Sequence, residues 1–213
     1  MPPDFFRVTF EKKKQKTSAL ELSFRCWSFF GIIDAKVRAY VFVPLLREKS
    51  RAFVSMSGLP IGQAMVIQAQ FTMSFRVENR NQRYYERRRE LEQMMRQMFI
   101  DNGGKPAIGW PHYMCIGESP FLATWFEDSA FVRIPIEEFD LQTVSFTYGD
   151  TFPTFSPRAA DGMEYRGKLY FYDEILEIIQ KYGLPQDSWD GTYASPCYVE
   201  AQVWSDMPIG RYR

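Results

Sequence analysis

The chain is poor in the residue types that most often announce a reaction: its 213 residues hold one histidine and three cysteines. A single histidine excludes a multi-histidine metal centre. Cys26, Cys115 and Cys197 are an odd set without CxxC spacing, so they form neither a zinc knuckle nor a dithiol redox pair and read as reduced, mostly buried thiols. A magnesium site made of carboxylates alone stays open, and Cys-His catalysis would need one of the thiols beside His112. There is no Walker A loop, GxGxxG, GxSxG or HExxH. No apolar run approaches the roughly 18 residues of a membrane span, and MPPDFFRVTFEKKK has no apolar signal core, so a cytoplasmic protein without membrane attachment is expected. Internal repeats and low-complexity stretches are also missing.

What the sequence does have is apolar and aromatic mass. The hydrophobic fraction is 46%, with 19 Phe, 12 Tyr and 5 Trp, enough to build a core and to leave rings at the surface. The expectation is a single α+β domain over residues 1 to 213, with largely antiparallel twisted sheets and a few helices. Residues 1 to 80 form its β-rich, basic part: FFRVTF, ELSFRCWSFF, KVRAYVFV and QAQFTMSFRV combine β-branched and aromatic residues with partial alternation. EKKKQKTS and REKSRAF read as charged turns between strands.

The charge is zero in sum and split along the chain. Residues 1 to 106 carry 19 Lys+Arg against 10 Asp+Glu, and the remainder 7 against 16, out of 26 of each kind. Such a division serves either a phosphate-binding face on the first half or attraction between the halves on folding.

The periodicity predicts a helix over 84 to 100, where Leu91, Met94, Met95, Met98 and Phe99 make an apolar stripe. Arg80, Arg83, Arg87, Arg88, Arg89 and Arg96 share the other side with Glu86, Glu90 and Glu92, at spacings that allow intrahelical pairing. That side reads as a solvated, salt-bridged face, or as a nucleic-acid contact through Arg83, Arg87 and Arg88 next to Tyr84 and Tyr85. Asn102-Gly103-Gly104 stops the helix. A second helix over 173 to 182 buries Ile175, Leu176, Ile178 and Ile179 and ends at Gly183. FVRIPI and TVSFTYGD read as strands, EEFDLQ as a turn, and TFPTFSPRAADGMEYRG as a long loop.

The residues able to carry chemistry lie in the second half. His112, between Trp110-Pro111 and Tyr113, is either a hydrogen-bond donor to a ribose or phosphate or a half-buried ring satisfied by backbone. In CYVEAQVW the alternation puts Tyr198, Glu200 and Gln202 on one face and Val199, Ala201 and Val203 on the other. Glu200 is thus either a charge at a cleft or part of a solvated strand face. SFTYGDTFPTF places Ser145, Thr147, Asp150 and Thr151 at a strand end, a common position for functional loops and equally for a plain Gly-Asp turn.

The order PHYMCIGES, VSFTYGDTFP, YVEAQVWSDMPI resembles uncharacterised bacterial proteins with an ADP-ribosyltransferase-like core, in which a TF-x-Y/L-x-DS strand precedes a closing Y-[IV]-E-[AV]-Q-[IV] strand. The resemblance covers residues 107 to 213, about half the chain. Here Gly-Asp-Thr stands where Asp-Ser is usual, and Trp204-Ser205 where His-Gly is common. It implies NAD as substrate and no metal. His112 with Tyr113 would hold the dinucleotide, Ser145 or Thr147 would support the pocket, and Glu200 would be the catalytic carboxylate. Beside this NAD-using reading, as an intracellular effector or defence protein, stand a nucleic-acid-binding module built on the basic first half and an assembly subunit that pairs with another copy or a protein partner.

Overall fold

The computed structural model describes residues 38–44, 55–69, 80–125, 129–159, 161–193 and 196–212. These residues build the expected α+β domain. Five strands form one antiparallel sheet: β1 (Arg38–Pro44), β2 (His112–Ile116), β3 (Ser129–Pro135), β4 (Val144–Thr147) and β5 (Glu200–Val203), in the spatial order β3-β1-β2-β5-β4. The helices are α1 (Ile61–Ala69), α2 (Gln82–Asp101), the single turns α3 (Pro120–Ala123) and α4 (Thr151–Thr154), and α5 (Tyr172–Tyr182), with several short 3-10 turns.

Over β2, β4 and β5 the sheet is covered on both faces, so alternation along these strands sorts apolar from polar side chains without exposing either, whereas Arg133 of β3, on the same face as Cys115, is exposed. One face is the main core: Met114, Ile116, Val132, Ile134, Val144, Phe146, Val199, Ala201 and Val203 pack with Ile175 of α5, and Ile178 and Ile179 border them. The opposite face meets α2, whose Met95 and Phe99 cluster with Trp204 and Leu169. Phe99 and Trp204 stack at 6.4 Å.

The α2 helix starts where Asn81 accepts a 3.2 Å bond from the Tyr84 amide. It ends at Asp101, with Asn102 as its cap, and Gly103 then takes φ +98°, a conformation that costs other residues a Cβ clash. Leu91, Met95 and Phe99 are buried as the stripe requires. Met98 is half-buried, and Met94 is exposed, which corrects the stripe: the buried face turns toward Arg88 and Glu92 rather than toward Met94. Most of residues 1 to 80 lies outside the described residues. KVRAYVFV does contain β1, but 61–69 is helical, since Ile61-Gly62-Gln63-Ala64 begins a turn behind Pro60. FFRVTF, ELSFRCWSFF, EKKKQKTS, REKSRA and most of QAQFTMSFRV lie outside the described residues. PHYMCIGESPFLATWF resolves into β2 and α3, the latter capped by Ser119, and EEFDLQ lies in short 3-10 turns. No helix among the described residues is long and apolar enough to cross a membrane.

Candidate functional site

The second face of the sheet is where the polar side chains gather. Register sets Glu200 opposite Cys115 on one side and Thr147 on the other, and Gln202 opposite Tyr113 and Ser145. Directly opposed residues of antiparallel strands point the same way. Tyr113, Cys115, Ser145, Thr147, Glu200 and Gln202 therefore share a face, and all but half-buried Tyr113 are buried. The solvated reading of Tyr198, Glu200 and Gln202 is thereby excluded, since helix α2 and turn α4 lie over them.

Burial obliges these groups to satisfy one another. Trp204 Nε1 donates to Ser145 Oγ at 2.9 Å, and Ser145 donates to Gln202 Oε1 at 2.9 Å. Gln202 Nε2 then donates to Thr147 Oγ1 at 3.1 Å and to Glu200 Oε1 at 3.0 Å, while Thr147 passes its own proton to the Gly149 carbonyl at 2.8 Å. Thr151 also donates to Glu200 Oε1. The Tyr198 hydroxyl lies 3.2 Å from Glu200 Oε2 and 3.1 Å from Asp150 Oδ2. A phenol has one proton to give, so it serves one carboxylate at a time, and a protonated Glu200 returns a hydrogen bond to it. Asp150 is further held by the Phe152 amide at 2.8 Å, the cap of α4, so the Gly149-Asp150 turn and the strand end form one device.

The electrostatics follow from that enclosure. Burial, reinforced by the charge of Asp150, pushes the Glu200 carboxyl up, and the Thr151 and Gln202 hydrogen bonds together with the Arg88 charge only partly offset it, leaving it at about 7. Glu200 therefore exchanges its proton near neutrality, where a carboxyl acts as either acid or base. Cys115 has no such freedom: burial, with Glu200 and Glu118 adding to it, pushes its thiol far up, which removes the thiolate that nucleophilic catalysis needs.

A second polar layer comes from α2. Glu92 Oε1 accepts from Ser57 Oγ at 2.6 Å, from Arg88 Nε at 2.9 Å and from Tyr113 OH at 3.0 Å. Arg88 Nη1 reaches Tyr84 OH at 3.1 Å, and its guanidinium lies 4.3 Å over the Tyr113 ring. Tyr113 thus joins the helix layer to the sheet layer. At the edge, Tyr84 stacks on Phe152 at 4.9 Å, and Arg80 lies over both Tyr84 and Trp125.

Of the residues singled out from sequence, Tyr113, Ser145, Thr147 and Glu200 come together. His112 does not. It pairs with Val203 and shares the parity of Met114 and Ile116, so it faces away from Glu200 and binds Asp206 Oδ1 at 3.0 Å instead. Arg88, placed on a solvated face by its neighbours in sequence, is turned inward, so of the three arginines proposed to contact nucleic acid only Arg83 and Arg87 are exposed, the latter paired with Glu90 at 2.9 Å. Glu92, read from sequence as part of the charged face, is buried in this layer, and its spacing of four from Arg88 and three from Met95 carries that signal. Among the described residues no group of three or more His, Cys, Asp or Glu is placed to hold a metal ion. No family model, no curated protein and no solved structure matches this chain.

Proposed function

We propose that the Glu200 face is an active centre for cleaving an N-glycosidic bond, with NAD as the substrate and Glu200 as the carboxylate that stabilises the cationic ribosyl group. The observation that carries this reading is a carboxyl buried among hydroxyl and amide donors and poised near neutrality by burial and the Asp150 charge. Such a group is ionised for much of the time at neutral pH, in surroundings where its charge acts strongly on a developing cation. In the step, the bond from C1′ to the nicotinamide nitrogen breaks, and its electron pair leaves with neutral nicotinamide. Water or an acceptor hydroxyl adds to C1′ and gives up its proton to solvent. Gln202, itself tied to Ser145 and Thr147, holds Glu200 in place, and Tyr113 lies on the same face of the sheet. In this reading the dinucleotide-holding role falls to Tyr113, which shares the Glu200 face, rather than to His112, which lies on the other. ADP-ribosyl transfer and NAD hydrolysis differ here only in the nucleophile.

The test is nicotinamide release from NAD by the full chain and by Glu200→Gln, with melting temperature measured on both. Release by the parent and a loss of about 100-fold or more in a variant that still folds supports the reading. A parent that releases no nicotinamide removes it, and leaves Glu200 as a structural polar group of the sheet.

A further inference from the structure

We infer that Glu92 is a ligand-binding residue whose Oε2 accepts a hydrogen bond from a sugar hydroxyl. Its side chain has no exposure, and the two carboxylate oxygens are treated very differently. Oε1 receives three donors, from Ser57, Arg88 and Tyr113, whereas Oε2 is buried and has no hydrogen-bond partner among the described residues. A buried carboxylate oxygen without a donor is costly, so the site retains an unmet demand for one.

The surroundings select the kind of donor. A further cation is disfavoured because Arg88 already balances Glu92 and is held by Tyr84 and the Tyr113 ring. A metal ion lacks a ligand set among the described residues. An anionic group would face Glu92, Glu200 and Asp150 together. A neutral hydroxyl remains, and the neighbours suit a sugar: Ser57, Tyr113 and Tyr84 bring further hydroxyls beside Glu92, while the Tyr113 ring carries the Arg88 guanidinium and the Tyr84 ring carries Phe152 and Arg80. Glu92 is one helical turn from Met95, whose sulfur lies 3.7 Å from the hydroxyl of the same Thr151 that donates to Glu200. The Glu92 and Glu200 carboxylates therefore belong to opposed layers of one interface, on the helix and on the sheet. A sugar lying between those layers would meet both carboxylates, one holding a hydroxyl and the other stabilising the anomeric carbon.

This deepens the NAD reading, on which the choice of ribose rests, but it concerns binding and does not require turnover. The experiment is calorimetric titration of the full chain and of Glu92→Gln with ADP-ribose and with ADP, which lacks the second ribose, alongside nicotinamide release from NAD. The parent is expected to bind ADP-ribose at least about tenfold more tightly than ADP, and the variant to lose that preference while binding ADP as before. Loss of fold alone would weaken both ligands equally, so the ratio separates recognition from structure. Should Glu92→Gln fail to fold, the parent's own preference decides. Equal affinity for the two ligands, binding of neither, or a preference that survives in the variant overturns the proposal. If the ratio behaves as expected and no nicotinamide is released, the cleavage reading falls and Glu92 stands as a sugar-binding residue. If nicotinamide is released and the ratio is indifferent to Glu92, the reverse holds.

Discussion

Thr147 and Glu200 are directly paired across β4 and β5, with both side chains on the face that meets α2. Gln202 joins them by donating to the Thr147 hydroxyl and to the Glu200 carboxylate through the same nitrogen. A hydroxyl and a carboxylate brought together from separate strands by one amide are fixed in position before any ligand arrives, which is the condition under which a charge acts on a transition state without reorganising.

His112 belongs to the other face, and that separates its fate from Tyr113. His112→Ala removes a contact to the exposed Asp206 and leaves the Glu200 network untouched, so if the Glu200 face cleaves NAD as proposed, nicotinamide release should stay within about twofold of the parent, as for independent sites. Tyr113→Phe keeps the ring and removes the hydroxyl that reaches Glu92, which should lower stability by about 1.5–3 kcal/mol and reduce turnover. Steady-state kinetics and urea denaturation of both variants check this. A turnover defect confined to His112→Ala would mean that the catalytic face is wrongly assigned.

That His112 and Glu200 lie on opposite faces is a matter of register. Alternation within CYVEAQVW is enough to put Glu200 and Gln202 together, and the same parity within HYMCI groups Tyr113 with Cys115. Which parity of one strand meets which of another depends on pairing, and that is set by turns and packing far from either segment. The helices were legible because α2 and α5 each bury one stripe, as Leu91, Met95 and Phe99 and as Ile175 show. Helix α1 was not, since Met65 and Val66 are exposed apolar residues that blur its period. Arg88 and Glu92 were read as surface because a charged residue in a charged run usually is. Only the tertiary partners Ser57 and Tyr113 reveal that the pair lies inside.

Two adjacent arginines should therefore behave oppositely. Arg87→Ala loses an exposed pair with Glu90 and is expected to change stability by no more than about 0.5 kcal/mol. Arg88→Ala strands Glu92 as an uncompensated buried charge and should cost about 3–5 kcal/mol. Chemical denaturation of the two single variants gives the comparison. Equal, small effects would show that Glu92 is not buried in solution.

Gly104 offers a test of how α2 is seated. A Cβ there would lie 2.5 Å from three ring carbons of Phe99, itself buried and stacked near Trp204 and Phe171. The ring has little room to retreat, because Met95, Leu169 and Trp204 occupy the same cluster. Gly104→Ala should accordingly destabilise by about 1–3 kcal/mol through overpacking. Thermal denaturation indistinguishable from the parent would place Phe99 elsewhere.

The last expectation concerns pH, and it follows from a carboxyl raised to about 7 in the fold from an ordinary value of 4.5. Between those values the folded chain holds the Glu200 proton more tightly than the unfolded chain does. Its contribution to stability is therefore fully present below pH 4.5, declines as pH rises, by up to about 1.4 kcal/mol per pH unit, and is lost above 7. Exposed carboxyls whose values are lowered by hydrogen bonds, Asp161 to Arg166, Glu164 to Lys181 and Asp190 to Thr192, act in the opposite direction. They are the same in parent and variant, so a difference between the two isolates Glu200. Glu200→Gln remains uncharged at every pH and keeps a side chain of similar shape, though its amide must accommodate the Thr151 and Gln202 donors. The melting temperature of the variant minus that of the parent should thus rise as pH increases from below 4.5 to 7 and then level off. If the Glu200 face cleaves NAD as proposed, turnover by the parent should climb over the upper part of the same interval, because the ionised carboxylate is the form that stabilises a cation. Differential scanning calorimetry across the range measures the first, and nicotinamide release the second. A difference in melting temperature that does not change with pH would mean that Glu200 titrates alike in the folded and unfolded chain, and that its burial does not hold a proton on it near neutrality.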